Sequence, residues 1–473
     1  MKIIKYLTLI LVLSSISYAK VDDAIVKIYT VFKTPSYDTP WNSIIQSASG
    51  SGVIIDGHRI LTNAHVVANT TFLEVKRNGD TKKYHAKVEF VSHQVDLAII
   101  KVLDDKFFDG VTPLKFGKRP KKEQKIAVYG FPLGGNTLSV TTGIVSRIEH
   151  ISYVHSGEIF LGIQIDAAIN GGNSGGPAIS DGKIVGVVMQ GITNAQNVGY
   201  LISIDIIERF LDDIKDGKLD GFADLGLTTM KMENPTIREY YKMDKNTTGI
   251  LITQIAKVSK ASDKLQEGDI LIAIDGHKIE NDGKVEFEKG LFTYYSYYFD
   301  KKQIGESIPL TILRDGKFLT VNVELNNITN KNMLVNTLEY DKMPRYYILG
   351  GYVFTPLTRN LIYKKKYAPL TLQLDQGKWA TKDKKEVVVL LKVLATELNR
   401  GDHNYYLFKI DKINNKKYKD FKNFVEIIKN SKNKYIILEN SKGSKIVIDR
   451  IKAKAIEKKV LDRYSIKDSE RLQ

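Results

Sequence analysis

The 473 residues predict a mainly β chain of two to four domains, on three observations. Gly52–Asp56 has the β-branched content of a strand, Asp56-Gly57 is a turn signal, and Arg59–Thr62 resumes as a second strand. "VDLAIIKV" places an apolar run, Leu97 to Ile100, directly behind Asp96, as a buried strand requires. Further on, "LQEGDILIAIDGHKI" reads as a turn, a strand and a tight reversal at Asp275-Gly276. Hydrophobic residues make up 43% of the chain, enough for packed cores. There is no cysteine, so core packing alone must hold these domains together. That count excludes a thiol nucleophile, a thiolate zinc site and iron–sulfur chemistry.

The first nineteen residues, "MKIIKYLTLILVLSSISYA", carry Lys2 and Lys5, an apolar run, and the small residues Ser17 and Ala19. This pattern predicts a signal peptide, residues 1–19, cleaved after Ala19, and hence a periplasmic protein. No later segment reaches eighteen apolar residues, so no integral membrane segment is expected in the mature chain. The net charge is +16, and residues 401–473 carry 19 Lys/Arg against 10 Asp/Glu. In an exported protein this excess points to solvated lysine-rich faces and not to nucleic acid.

"NGGNSGGPA", residues 170–178, surrounds Ser174 with residues that offer no bulk. A surface turn would use the same residue types, but a phosphate loop would need a following Lys-Ser/Thr pair that is missing. Glycines also let backbone N–H groups converge on one point, as an oxyanion hole requires. Upstream, "LTNAHVV" fixes His65 between a strand end and Val66-Val67. Asp96 stands at the lip of a buried strand, where a carboxylate is costly unless hydrogen-bonded, and an imidazole N–H is a suitable partner. His65, Asp96 and Ser174 occur in the chain order of chymotrypsin-type enzymes, unlike the subtilisin or α/β-hydrolase orders. The expected roles are base, orienting carboxylate and nucleophile, with the N–H groups of Gly172, Asn173 and Ser174 as oxyanion donors.

"SGSGVII", "LTNAHVV", "DLAIIKV" and "QIDAAINGGNSGGP" together resemble the HtrA/Deg family of serine endopeptidases. "GYVFTPL" and "NDGKVEF" are similar to segments of its plant-type branch and bacterial relatives. The resemblance covers essentially the whole mature chain. It departs at Gly171, where many members have proline, and at "VGYLISID", which leaves the pocket shape there open. It implies a chymotrypsin-like double β-barrel followed by two PDZ-like α+β domains. In such a fold Ala168 and Ile169 line the primary specificity pocket, with Leu201 and Ile202 opposite. A small uncharged pocket favours Val, Ala, Ile or Leu before the scissile bond.

The expected domains are the protease, 20–214, a first PDZ domain, 222–326, and a second PDZ-like domain, 336–473, with a basic C-terminal helix. "IDIIERFLDDIK" closes the protease with apolar residues at helical spacing. PDZ domains capture extended peptides at a sheet edge. By resemblance, Thr248, Gly249, Ile250 and Leu251 would present N–H groups to a substrate carboxyl terminus. In the last domain, Phe421, Phe424, Val425 and Ile428 follow the spacing of one buried helix face. The cluster "GLFTYYSYYF" suits core or interface equally. The resemblance also implies trimers, singly or stacked, with Tyr37 and Trp41 of "YDTPWNS" as the candidate contact.

These readings give an ATP-independent endopeptidase acting on unfolded or damaged proteins, with no metal and no organic cofactor. The alternative from another class is a chaperone or peptide-binding scaffold whose protease is switched off at rest.

Overall fold

Runs of alternating and wholly apolar residues close into two six-stranded barrels. The computed structural model describes residues 21–191, 198–363 and 368–473, so the expected leader lies outside the described residues. The first barrel contains β1 (Ile25–Pro35), β2 (Ser43–Ile55), β3 (Arg59–Thr62), β4 (Thr70–Arg77), β5 (Tyr84–Ser92) and β6 (Leu97–Val102), in the order β1-β2-β3-β6-β5-β4. The second contains β7 (Lys125–Gly130), β8 (Ser139–Ser152), β9 (Ile159–Ile165), β10 (Pro177–Ser180), β11 (Lys183–Gly191) and β12 (Gly199–Ser203). The β2–β3 turn passes through Gly57 at φ 83° and His58 at φ 54°, as the Asp-Gly signal requires. Helix Ile204–Asp213 follows, capped by the Ser203 side chain, and buries Ile204, Ile206, Ile207 and Phe210.

The chain divides into two units. One comprises residues up to Phe32 and Gln46–Asn327; the other comprises Lys33–Ile45 and Ile328–Gln473. In the first unit, the barrels are followed by β13 (Leu227–Lys231), β14 (Ile250–Ile255), β15 (Ile270–Ile274), β16 (His277–Lys278), β17 (Lys284–Glu288), β18 (Leu291–Tyr294), β19 (Ser307–Arg314) and β20 (Lys317–Glu324). Their main sheet runs β13-β14-β15-β19-β20, with β17 and β18 a separate hairpin. The aromatic cluster splits: Tyr297 and Phe299 are buried, whereas Phe292 and Tyr294 remain exposed. A buried polar contact joins β8 to the following module within this unit. His150 Nε2 lies 2.9 Å from Asp300 Oδ2, and His150 Nδ1 lies 2.6 Å from Thr293 Oγ1.

The second unit holds β21 (Tyr346–Leu349), β22 (Tyr352–Pro356), β23 (Val388–Val393), β24 (Phe408–Ile410), β25 (Lys412–Ile413), β26 (Tyr435–Glu439), β27 (Lys445–Asp449) and β28 (Glu470–Arg471). They form two sheets, β24-β23-β22-β21-β28 and β25-β26-β27. Helix Phe421–Lys429 buries Phe421, Phe424, Val425 and Ile428, the face its spacing predicted. The Asp420 carboxylate caps it by accepting from the Asn423 N–H at 2.8 Å. Tyr37 and Trp41, expected at a trimer contact, are half-buried and pack against this unit's apolar cluster. Trp41 meets Tyr346 edge-on with ring centroids 5.8 Å apart, so the aromatic surface that suggested an interface is partly covered within the chain.

Candidate active site

The first barrel supplies His65 and Asp96. His65 sits in the short helix Ala64–Val67, immediately after β3. Asp96, 1% exposed, takes a left-handed backbone conformation at φ 56° immediately before β6. That conformation costs a non-glycine residue energy, and three hydrogen bonds around Asp96 hold it. Asp96 Oδ1 accepts the His65 backbone N–H at 2.8 Å, Oδ2 lies 2.7 Å from His65 Nδ1, and the Asp96 carbonyl accepts from Asn63 Nδ2 at 2.9 Å. The carboxylate therefore grips backbone and ring together, leaving the His65 side chain one-third exposed. Burial lowers the proton affinity of the imidazole; the charge and hydrogen bond of Asp96 raise it by more, and its pKa stands above the ordinary 6.5.

The second barrel supplies the serine loop. Gly172 lies at φ 97°, and a Cβ there would come 2.4 Å from the Phe131 carbonyl oxygen, so only glycine fits. Leu133 N–H donates to the Gly171 carbonyl at 2.7 Å. Because a trans peptide sets C=O and N–H on opposite sides, this bond turns the Gly172 N–H away from Leu133. The Gly172 and Ser174 N–H groups have no acceptor among the described residues, whereas Asn173 N–H donates to the Asn170 carbonyl at 3.1 Å. The expected three donors thus reduce to two open ones. The Ser174 hydroxyl donates to the Met189 carbonyl at 3.4 Å. No hydrogen bond joins it to His65 among the described residues.

Sequence reasoning assigned Ser51 no role, yet it ties the two barrels together at the site. Its hydroxyl donates to the Gly172 carbonyl at 2.7 Å and accepts from the Phe131 N–H at 2.8 Å, while its N–H donates to the Ser174 carbonyl at 2.9 Å. The repeated Ser-Gly of "SGSGV" was the available signal, but its partner lies 121 residues away. Ser51→Ala is expected to lower kcat about tenfold with KM nearly unchanged, as loss of both buried hydrogen bonds of its hydroxyl from a positioning residue would. Steady-state kinetics on a short peptide checks this.

The pocket residues are only partly brought together. Ala168 is exposed and Ile169 half-buried, and a Cβ on Gly199 would come 2.3 Å from Ile169 Cδ1. Leu201 and Ile202 are both fully buried, but Leu201 joins the interior cluster of the second barrel and Ile202 a different cluster. Successive strand residues face opposite sides, so the two cannot form one wall; this corrects the sequence expectation.

The peptide-binding loop needs a similar correction. Ile250 pairs with both Lys231 and Leu271, and Leu251 with both Met230 and Ile270. Gly249 N–H donates to Asn281 Oδ1 at 3.2 Å, and Thr248 Oγ1 to the Ile279 carbonyl at 2.6 Å. β14 is an inner strand, and its backbone is spent within the sheet. The edge strands of this sheet are β13 and β20, and of these β13, preceded by Gly226 at φ 66°, is the one paired to β14.

Among the described residues no group of three or more His, Cys, Asp or Glu could hold a metal ion, and no helix is long and apolar enough to cross a membrane.

A trypsin-like peptidase domain model matches residues 50–187, and a PDZ domain model matches 335–471. The putative protease Do-like 3, mitochondrial, of Arabidopsis thaliana is 39% identical over 408 residues, covering 86% of this chain and 72% of that protein. Protease Do-like 4, mitochondrial, of the same plant is 38% identical, covering 88% and 78%. Among solved structures, the HtrA-type protease AlgW with decapeptide shares the fold at a TM-score of 0.52 and 21% identity, over 66% of this chain and 97% of that one. With that covering similarity and the two matched domains, the chain belongs to the HtrA/Deg family and is a serine endopeptidase.

Proposed function

We propose that this protein degrades unfolded or damaged proteins without ATP, by an acyl-enzyme mechanism on Ser174, His65 and Asp96. The observation that carries the mechanism is the double grip of Asp96 on His65, facing a loop with two idle N–H groups. The Ser174 hydroxyl turns from Met189, attacks the scissile carbonyl carbon and gives its proton to His65. Gly172 and Ser174 N–H groups receive the developing oxyanion, each donor worth about a hundredfold or more in rate. His65 then delivers the proton to the departing amine, and water resolves the ester by the same steps in reverse order. The primary pocket in this reading is small and uncharged, bordered by half-buried Ile169 and exposed Ala168.

Substrate capture belongs to the outer side of β13, where an extended peptide would add as a further strand. The domain reading, protease over 20–214 with PDZ-like modules over 222–326 and 336–473, is kept. So are export to the periplasm, on the leader pattern of residues 1–19, and trimers as the assembly. The curated relatives above carry mitochondrial names, so the compartment rests on the leader alone.

The second reading, a scaffold with its protease off at rest, draws on the Ser174 hydroxyl being directed at Met189. Unfolded casein separates the two. The expected result is fragments whose cleavage sites, mapped by mass spectrometry, cluster after Val, Ala, Ile or Leu. A majority of cuts after Lys or Arg overturns the pocket, and intact casein favours the scaffold.

A further inference from the structure

In both PDZ-like sheets the first strand in chain order, β13 or β21, stands outside the second, β14 or β22. The outer side of β13 carries no strand; that of β21 carries β28. We propose that residues 468–472 are a built-in ligand of the C-terminal PDZ-like domain, occupying in advance the edge at which it would take an extended peptide.

The backbone contacts are those of strand addition. Tyr346 pairs with Arg471 and Tyr347 with Glu470, antiparallel, and Ile348 N–H donates to the Ser469 carbonyl at 2.8 Å. The Tyr346 hydroxyl extends the contact by donating to the Asp468 carbonyl at 2.8 Å. Main-chain bonds of this kind hold any extended segment, and side chains select which one. Here three successive side chains are each met. Lys429 Nζ donates to Glu470 Oε1 at 2.7 Å. Arg471 lies over the Tyr346 ring and donates to the Pro40 and Pro344 carbonyls at 2.9 and 3.2 Å. Leu472 packs against the cluster that includes Tyr347, Phe424 and Ile428. The edge thus selects an acidic–basic–apolar triplet in extended form. A strand that merely blunted an edge would need the main-chain bonds and none of this side-chain matching.

The inference rests on strand addition as the binding mode of this fold and is independent of whether β13 captures substrates. Its test uses the full chain, a variant lacking residues 468–473, and a fluorescein-labelled peptide of sequence DSERLQ read by fluorescence anisotropy. The shortened chain, with its circular dichroism unchanged, is expected to bind the peptide at least tenfold more tightly than the full chain. A peptide carrying the change corresponding to Leu472→Asp is expected to bind at least tenfold more weakly than the parent. Equal binding by the two chains, or by parent and scrambled peptides, overturns the proposal. Should the shortened chain fail to fold, Glu470→Lys in the full chain sets a cation against Lys429 and loosens the tail without deleting it. Peptide binding no better than that of the unaltered chain then overturns the proposal as well. Peptide binding to the full chain that rises on dilution would assign the tail to a second copy and likewise overturn the in-chain ligand. Casein cleavage by the same preparations reports separately on the protease.

Discussion

Ser174→Ala is expected to slow casein cleavage by about a millionfold while leaving the protein folded and able to bind substrate. The size of the loss follows from the site's construction. Every covalent step begins or ends on the Ser174 oxygen, and no other hydroxyl in the loop can take its place. The cost in stability is small because that oxygen makes a single 3.4 Å hydrogen bond, to Met189. The loop around it is fixed by other atoms: the Ser174 carbonyl by Ser51 N–H, the Gly172 carbonyl by Ser51 Oγ, and the Gly171 carbonyl by Leu133 N–H. His65→Ala should cost a similar factor, and the double variant no more than either alone, because the pair acts as a unit. Progress curves with labelled casein measure all three. Retention of a tenth of the normal rate by Ser174→Ala would falsify the assignment.

Asp96→Asn is expected to lower kcat/KM about ten-thousandfold near neutral pH, the order found when a triad aspartate becomes asparagine in serine proteases of this type. The two bonds of Asp96 explain the sign. Its Oδ1 accepts a backbone N–H and its Oδ2 faces His65 Nδ1. An asparagine has one accepting atom, and with its oxygen on the backbone N–H its NH2 faces the ring. Nδ1 must then accept, so the proton sits on Nε2, the nitrogen that should receive the proton of Ser174. The pH profile separates this from a mere structural defect. Asp96 raises the His65 pKa above 6.5, and activity needs the neutral ring, so the native rate falls as pH drops through that raised value. Removing the carboxylate lowers the pKa and moves the acid limb to lower pH. An acid limb left in place would show that another group controls His65.

The triad was legible in the sequence because each member sits in a short stretch whose local pattern fixes it: a glycine-lined loop, a strand end, the lip of an apolar run. The helix face of Phe421, Phe424, Val425 and Ile428 was legible for the same reason. What failed depended on neighbours far along the chain. That β14 is an inner strand follows only from β13 and β15 flanking it, and nothing in "TTGILITQI" records this. The division of Leu201 from Ile202 is a matter of strand facing, to which a pocket assigned by position is blind. Ser51 meets Gly172 across 121 residues, beyond any local motif. The packing of Tyr37 and Trp41 was likewise hidden, because Tyr346 and the rest of their cluster lie some three hundred residues downstream.

The contact between His150 and Asp300 has a mechanical meaning. The His150 side chain is fully enclosed and that of Asp300 is 5% exposed, so water cannot replace either partner until the surfaces part completely. A half-opened joint would strand polar groups in an apolar gap, at about 1–3 kcal/mol for each buried group left without its hydrogen bond. Partial opening at this pair is therefore disfavoured, and Arg119, which reaches both Glu288 and the Tyr297 hydroxyl, adds a more exposed tie between the same two parts. The chain of β8 continues from His150 to His155, whose ring lies 6.1 Å from that of His65, so this contact holds a strand that leads to the active site.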